Sequence, residues 1–396
     1  MRLGTANTYD NALQNLYVRQ SDLSSQQEKL TSGKNVNRPS DDPTASAVAE
    51  RALTRISRVA TEQRALGVQR NAITMAESTL GDATYLIQNI RDLMVNAGNG
   101  SYNAAARATI AEQMRGLRDQ LFSFANRTDT NGIPLFGGLG SAAAPFTDAA
   151  AGVTFNGTPG QRSSTEVALP TAMDGQAIWM NVPSGNGTFE MTLAGVNTGS
   201  LSTNAGQVIS PAALTGHNYS VNFTIAAGVT TYDVVDTTTA ATIVSGQPYM
   251  SNQAISFDGM SFVAQGGPSN GDSIQISPST ATNVFKIIDD AIASIDGSTG
   301  GPVLGQTIAL ALTQFDSSMD RIQSARGQAG DWLNRADKID GTQTGRTIQL
   351  EAEKSKAEDL DMVKGISDFT KFQTGYQAAL QSYAQVQKLS LFNYIS

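Results

Sequence analysis

The fold is decided by a helical stretch near the start of the chain, which reads ANTYDNALQNLYVRQSDLSSQQEKL from Ala6 to Leu30. Its apolar and glutamine positions recur every three or four residues, at Ala6, Tyr9, Leu13, Leu16, Gln20, Leu23, Gln27 and Leu30. A matching series lies near the other end, at Met362, Ile366, Phe369, Gln373, Tyr376, Leu380 and Tyr383. Residues at this spacing form one stripe along a helix, and the stripe must be covered. Two such stripes predict that the ends of the chain meet and that its function is assembly.

The connection after the first stripe reads LTSGKNVNRPSDDP from Leu30 to Pro43. Gly33 is expected to stop the first helix, and Asp42 followed by Pro43 is a typical helix start, with an N-cap and a proline at the first helical position. A second stripe then predicts a helix from Thr44 to Ala97, which would be roughly 80 Å long at 1.5 Å per residue. The stretch from Gly98 to Ser101 breaks it, and a third helix to about Arg127 completes a helical hairpin.

The middle of the chain is rich in Gly, Ser, Thr and Asn and contains short segments with a period of two, which is typical of strands. These segments are Thr188–Leu193, Tyr219–Ile225 and Ile255–Val263. Helical periodicity returns near Ala281, continues through a stripe that leads toward Leu333, and ends in a last helix predicted from about Ile348 to Leu391.

Helices, then strands, then helices predict a multidomain α and β fold. We expect a long helical bundle or coiled-coil rod formed from both termini, with an inserted antiparallel β-rich domain. The expected divisions are residues 1–42 with 350–396 as terminal axial helices, 43–136 with 282–349 as a helical rod, and 137–281 as an acidic, outward-facing β-rich domain.

Charge and composition argue against several functions. The formal net charge is −8, and between Gly137 and Thr280 eight acidic residues stand against one basic residue, Arg162. Because the middle has no basic stripe and the ends are charge-balanced, we expect neither nucleic acid nor a membrane as partner. The first residues lack the apolar core of a cleaved secretory signal, and no apolar run approaches the length of a membrane span, so we expect a soluble protein.

No group of residues predicts catalysis, a metal site or a cofactor. The chain has no cysteine, and its one histidine, His217, is expected in a solvated loop or at a strand end. The pairs Asp41–Asp42 and Asp359–Asp361 could hold a metal, but Asp42 is better explained as a helix cap. The loop from Gly266 to Gly271 lacks the Lys-Ser/Thr of a phosphate-binding loop and is expected to connect strands. We therefore expect no enzyme.

Two further motifs identify a family. The first contains Gly33, Asn37, Arg38, Pro39, Ser40, Asp41, Asp42 and Pro43; the second, which would close the helical hairpin, contains Asn126, Asn131, Gly132, Leu135, Phe136 and Gly138. With Gly266–Asp272, Arg326-Gly327 and the tail that runs to Leu391, Phe392 and Ile395, these segments resemble the flagellin superfamily of bacterial flagellar axial proteins. The resemblance covers roughly the first 138 and last 115 residues.

The resemblance implies a structural protein at the junction between the flagellar hook and filament. Filament flagellins typically end in Leu-Leu-Arg, whereas the tail of this chain reads Leu-Phe-Asn-Tyr-Ile from Leu391 to Ile395. The resemblance also implies export through the flagellar type III pathway, an extracellular location, and four partners: copies of itself, hook-associated protein 1, flagellin and an export chaperone. Two alternatives stay open, a filament flagellin and, more distantly, a secreted coiled-coil adhesin or effector.

The terminal stripes are the expected assembly surface. The residues expected to form it are Leu13, Leu16, Leu23, Leu30, Ile366, Phe369, Tyr376, Leu380, Tyr383, Leu391, Phe392 and Ile395. Glutamines interrupt both stripes, so isolated terminal helices should be weak and become ordered mainly against other copies.

Overall fold

The fold is seen in a computed structural model that describes residues 5–140, 144–298 and 300–395, with side chains from Tyr9 to Gln387 apart from residues 141–143, 299, 302 and 386. Within these residues the chain forms the α-helices α1 (Thr5–Ser32), α2 (Pro43–Ala97), α3 (Ala104–Ala125), α4 (Val284–Ile295), α5 (Pro302–Glu358) and α6 (Met362–Ile395). The predicted long helix, the break after Ala97 and the helical hairpin are confirmed.

The single helix predicted from Ile348 to Leu391 is wrong. Helix α5 is continuous for 57 residues and ends at Glu358, and α6 begins at Met362. The break is made by Asp361, whose Oδ1 accepts hydrogen bonds from the backbone N–H groups of Val363 (3.0 Å) and Lys364 (3.2 Å). An aspartate in this position satisfies N–H groups that have no partner in the first turn, so it starts a new helix.

Short antiparallel strands occupy the middle of the chain, as predicted. They are β1 (Phe146–Ala149), β2 (Gly152–Phe155), β3 (Val182–Pro183), β4 (Phe189–Leu193), β5 (Ser202–Thr203), β6 (Gln207–Val208), β7 (Tyr219–Ala226), β8 (Val229–Asp236), β9 (Ala241–Pro248), β10 (Ala254–Phe257), β11 (Met260–Gln265), β12 (Ser273–Pro278) and β13 (Ala281–Thr282). The largest sheet has the order β4-β12-β7-β8-β9, and a second sheet joins β10, β11 and β5, with β6 also paired to β11. Strands β1 and β2 form one small sheet, and β13 and β3 form another.

The strand predicted from Ile255 to Val263 is also wrong, because it is two strands. Asp258 and Gly259 both have positive φ, 39° and 78°, and turn β10 back onto β11. A two-residue hairpin turn with both residues in this region is one that Asp-Gly favours. Each strand has a period of two in its sequence, but the buried apolar positions change from Ile255 and Phe257 to Met260 and Phe262, so the pattern shifts by one residue at the turn.

The chain divides into two compact units, and the divisions fall inside α2 and α5. One unit contains Met1–Arg64 with Ile339–Ser396, and the other contains Ala65–Lys338. The larger unit holds all the strands. Its sheets enclose an apolar core that includes Phe189, Tyr219 and Phe262. Its helices have a core of their own, in which Leu80, Ile87, Ile90 and Met94 of α2 are fully buried.

Candidate functional site

The terminal helices α1 and α6 pack against each other in opposite directions. At one end the hydroxyl of Tyr383 donates to the hydroxyl of Tyr9 at 2.5 Å, and their ring centroids are 5.5 Å apart. At the other end the Nε2 of Gln26 donates to the carbonyl oxygen of Gly365 at 3.1 Å. This arrangement brings the two ends of the chain together, as the two stripes predict.

The pair leaves its apolar stripe unfinished. The half-buried members of the predicted surface are Leu13, Leu16, Leu23, Leu30, Phe369, Tyr376 and Tyr383. Ile366 is 56% exposed and Leu380 is 43% exposed. The side chains of Leu391, Phe392 and Ile395 lie outside the described residues. Among the described side chains of α1 and α6, no apolar one is fully buried, so one helix covers only part of the other's stripe.

Sequence reasoning missed a second set of exposed apolar side chains on these helices. Tyr17 is 64% exposed, Val18 is also mostly exposed, and Val363 is 82% exposed. These residues lie beside the predicted stripe and not on it. The sequence did contain a sign of this second set. A helix with one covered stripe has polar residues on its other faces, and these three positions are apolar instead.

Gly365 explains how α1 and the start of α6 approach closely. It is buried, and a Cβ at this position would lie 2.8 Å from the Cδ2 of Leu360 and 3.1 Å from the Cδ2 of Leu30. The absence of a side chain therefore lets Leu30, one of the predicted surface residues, lie against the beginning of α6.

The turn after α1 binds the connection between α5 and α6. The backbone N–H of Asn35 donates to the carbonyl oxygen of Glu358 at 2.7 Å. The backbone N–H of Leu360 donates to the carbonyl oxygen of Gly33 at 2.9 Å. The Nζ of Lys34 lies 3.3 Å from the Oε1 of Glu358. Gly33 has a φ of 70°, which suits glycine and ends α1. The break after α1 and the break between α5 and α6 are thus held together by hydrogen bonds. The sequence of either segment alone does not show this contact.

Two aspartates of the first motif organise this turn. Asp41 Oδ2 accepts from the N–H groups of Asn37 (3.0 Å) and Arg38 (2.9 Å), and these bonds lower the pKa of Asp41. Asp42 Oδ1 accepts from the N–H groups of Ala45 (3.0 Å) and Thr44 (2.9 Å), which lower the pKa of Asp42. The expected helix cap at Asp42 is confirmed.

The remaining members of the first motif complete the turn. The Nη2 of Arg38 forms an ion pair with Glu28 of α1 at 3.0 Å. Pro39 and Ser40 are exposed, and Pro43 is the first residue of α2. The motif therefore fixes the direction in which the chain leaves α1 and enters α2.

The hairpin-closing motif lies in the other unit. Asn126 follows α3, and its side chain both donates to the carbonyl oxygen of Phe146 (3.0 Å) and accepts from the Phe146 N–H (2.9 Å). The N–H of Asn131 is bound by Asp129 Oδ1 at 2.8 Å, and Gly132 has a φ of 79°. The amide of Asn126 thereby fixes the first residue of β1 at the end of α3.

The second half of that motif is buried. Leu135 and Phe136 are fully buried, and the ring of Phe136 meets Trp179 edge-on with centroids 5.6 Å apart. Gly138 has a φ of 68°, and a Cβ on it would collide with the carbonyl oxygen of Thr158. This motif therefore holds the larger unit together.

The residues considered for catalysis or metal binding have structural surroundings. His217 is half-exposed and lies just before β7, where its Nδ1 is 2.7 Å from Asp236 Oδ2. The loop from Gly266 to Asp272 connects β11 to β12, as predicted. Among the described residues, no cluster of three or more His, Asp or Glu side chains could hold a metal ion. No helix in the described part of the chain is both long enough and apolar enough to cross a membrane.

Comparison with curated proteins gives relatives from bacterial flagella. The flagellar hook-associated protein 3 of Salmonella typhimurium is 34% identical over 169 residues, which are 42% of this chain and 51% of that protein. The protein of the same name from Escherichia coli K12 is 24% identical over 99% of both chains. Polar flagellin C of Vibrio parahaemolyticus is 24% identical over 93% of this chain and 92% of that protein.

Solved structures give the same result. The hook-associated protein 3 of Legionella pneumophila has a TM-score of 0.73 at 27% identity, covering 78% of this chain and 98% of that one. The protein FlgL of Xanthomonas campestris has a TM-score of 0.69 at 28% identity over 78% of this chain and 99% of that one. Helices from both ends with an inserted antiparallel β region are therefore the fold, as expected.

Two family models match the two ends of the chain. The model of the bacterial flagellin N-terminal helical region matches residues 4–141, and that of the C-terminal helical region matches residues 312–395. The matched regions contain the paired terminal helices, the turn that joins them and the hairpin-closing motif. Since they make up more than half of its residues, the chain belongs to the bacterial flagellin family.

Proposed function

We propose that this chain is a structural component of the bacterial flagellum that forms the junction between hook and filament. The observation that carries the proposal is the unfinished apolar surface of α1 and α6. Proteins named hook-associated protein 3 or flagellar junction protein, similar to this chain across most of its length, support the choice of the junction. The partners are further copies of this chain, hook-associated protein 1 on one side and flagellin on the other.

The mechanism is the burial of apolar side chains by neighbouring subunits. Each Leu or Phe that passes from water to a fully covered position contributes roughly 1.5–3 kcal/mol. An exposed ion pair such as Arg38 with Glu28 contributes roughly 0–1 kcal/mol. The predicted surface has a dozen members, so its apolar contacts outweigh any ion pair, and order in α1 and α6 increases with assembly.

Three finer points belong to the same proposal. The chain leaves the cell through the flagellar type III pathway, accompanied until export by a chaperone. Residues 1–42 with 350–396 form the axial helices, 43–136 with 282–349 the helical rod, and 137–281 the outward-facing acidic domain. The chain is not an enzyme, which agrees with relatives named as flagellar hook-associated and junction proteins.

A filament flagellin is the second candidate, because a polar flagellin is also similar over nearly the whole chain. The two functions differ in self-assembly. A junction protein forms a limited ring, whereas purified filament subunits extend into long filaments. Long filaments grown from the purified chain alone would favour the flagellin.

The assembly surface is tested by replacing Ile366 and Leu380 with Gln in the full-length chain. Both side chains are already exposed in the single chain, so the variant should fold normally but fail to hold the filament. The matched control is Val196→Gln, because Val196 is 79% exposed and lies in the larger unit beyond β4. Cells that lack the wild-type protein should carry attached filaments with the control and few with the double variant. Equal attachment with both variants would contradict the proposal.

A further inference from the structure

We propose that Asn99, in the turn between α2 and α3, is a site of self-modification at which the surrounding groups promote conversion of its side-chain amide to a carboxylate. The inference does not depend on the proposed function. Asn99 is followed by Gly100, and both residues are exposed.

The chemistry uses only the chain and water. The backbone nitrogen of Gly100 loses its proton and attacks the Cγ of Asn99. The C–N bond of the side-chain amide then breaks, its nitrogen leaves with a proton as ammonia, and a five-membered succinimide remains. Water opens this ring at either carbonyl, which gives aspartate or isoaspartate. The turn gains one negative charge, and no oxidant or reductant is required.

The attacking nitrogen belongs to a peptide group whose carbonyl oxygen accepts two hydrogen bonds. The oxygen of Asn99 accepts from the N–H of Tyr102 (3.1 Å) and from the Nη2 of Arg107 (3.2 Å). Loss of the Gly100 proton places negative charge on this oxygen through the peptide resonance. A guanidinium that is only 2% exposed therefore stabilises the anion that attacks.

Arg107 is fixed in this position by other carbonyl groups. Its Nε donates to the oxygen of Ala97 at 2.9 Å, and its Nη1 donates to that of Ser298 at 3.3 Å. The cation is thus oriented toward the end of α2 and the following turn before any reaction occurs. Such preorganised donors cost no rearrangement when charge develops.

The carbon under attack is activated by Ser101. The Oδ1 of Asn99 accepts from both the N–H of Ser101 (3.0 Å) and its Oγ (2.9 Å). Attack on Cγ moves negative charge onto Oδ1, so two donors already in place stabilise the tetrahedral intermediate. Apart from Gly100 itself and its chain neighbours Asn99 and Ser101, no residue places an atom within 4 Å of a Cβ built on Gly100, which leaves room for the ring and for water.

Four other Asn-Gly pairs in the chain provide an internal comparison. In three of them the glycine N–H is held by a carbonyl oxygen: Gly132 by Asp129 (3.1 Å), Gly187 by Ser184 (3.2 Å) and Gly271 by Phe223 (2.9 Å). In the fourth, Gly157 is crowded by the ring of Phe155 and the oxygen of Gly137. In the part of the chain that the structure describes, the Gly100 N–H has no acceptor of this kind.

The test compares folded and urea-unfolded full-length protein, incubated in the same buffer and sampled over time by peptide mass spectrometry. The unfolded chain should convert the asparagines of all five Asn-Gly pairs at similar rates, since each precedes glycine. Folding should accelerate conversion at Asn99 and slow it at Asn131, Asn186 and Asn270. Conversion of Asn99 that is slower in the folded than in the unfolded chain would overturn the proposal.

Ser101→Ala is the second arm of the experiment. The variant removes one donor from an exposed position, so it should fold normally and slow conversion of folded Asn99 by roughly twofold to tenfold, the worth of one ordinary hydrogen bond. The unfolded rate and the rate at Asn131 should not change. An unaltered rate at folded Asn99 would show that the Ser101 hydroxyl has no part in the reaction and would overturn that assignment.

Discussion

Asp236 is a buried carboxylate that its neighbours keep ionised. Burial alone would raise its pKa, but hydrogen bonds from the Thr239 side chain, from His217 and from the N–H groups of Thr239 and Thr238 together lower it to about 2. These contacts join the end of β8 to the residues before β7. A group whose pKa is lower in the folded than in the unfolded chain stabilises the fold only while it is ionised.

The stability that Asp236 contributes should therefore depend on pH. It should be fully present above the ordinary pKa of 3.8 and be lost as the pH falls toward about 2. Thermal unfolding of wild type and Asp236→Asn, followed between about pH 6 and pH 2, should show a gap in Tm that narrows with acidification. A gap of constant size over that range would contradict this account.

Single residues also show where sequence reasoning was sufficient. Asp42 could be recognised because Pro43 follows it, and the structure confirms the cap. Asp361 has the same role at α6 but no proline after it, and helical stripes of the same period lie on both sides. From the sequence alone, Asp361 could not be distinguished from an exposed aspartate in the middle of one long helix.

Elements were predicted best where their period changes and worst where it does not. The change from a period near 3.6 to a period of two correctly marked the β region. The turn at Asp258-Gly259 joins two strands of equal period, so the period alone does not reveal it; the Asp-Gly pair and the three-residue step from Phe257 to Met260 are the signals that mark it. The bond between the two helix breaks, from Asn35 to Glu358, joins residues far apart in sequence and has no local signal.

The hairpin-closing motif offers a matched pair of glycine substitutions. Gly132 and Gly138 both have positive φ, so replacement by Ala should cost each about 1–2 kcal/mol. Gly132 has open space around it, whereas a Cβ on Gly138 meets the oxygen of Thr158. Gly138→Ala should therefore lose roughly 1–3 kcal/mol more. The measurement is urea unfolding followed by the fluorescence of buried Trp179. Equal losses in the two variants would show that the contact with Thr158 does not constrain the chain.

At the scale of the whole molecule, periodicity predicted that the ends meet but not how completely they cover each other. The stripes located the contact between α1 and α6 because a stripe needs a partner. Whether α1 and α6 need further subunits to cover them depends on how much of Tyr17, Val363 and Ile366 stays exposed after the two helices pack, and only the structure shows this exposure. Where one unit ends and the next begins inside α2 and α5 also left no mark in the sequence.

Limited proteolysis of the monomer tests whether the terminal helices are weak alone. Trypsin should cut first in α1 and α6, at exposed sites such as Arg19 and Lys371, and leave a core of about residues 45–350. Arg107 and Arg118 are buried in the larger unit and serve as internal controls that should be cut late. Ends that resist trypsin in a verified monomer would contradict coupled folding and assembly.

The central claim is that neighbouring subunits complete the apolar surface of α1 and α6. The most direct measurement is an electron cryo-microscopy map of the assembled hook and filament region in which this chain can be traced. The account predicts that Tyr17, Val363, Ile366 and Leu380, all exposed in the single chain, are covered by side chains of adjacent subunits. A map in which these side chains face solvent, with the subunits joined through the β region alone, would contradict it.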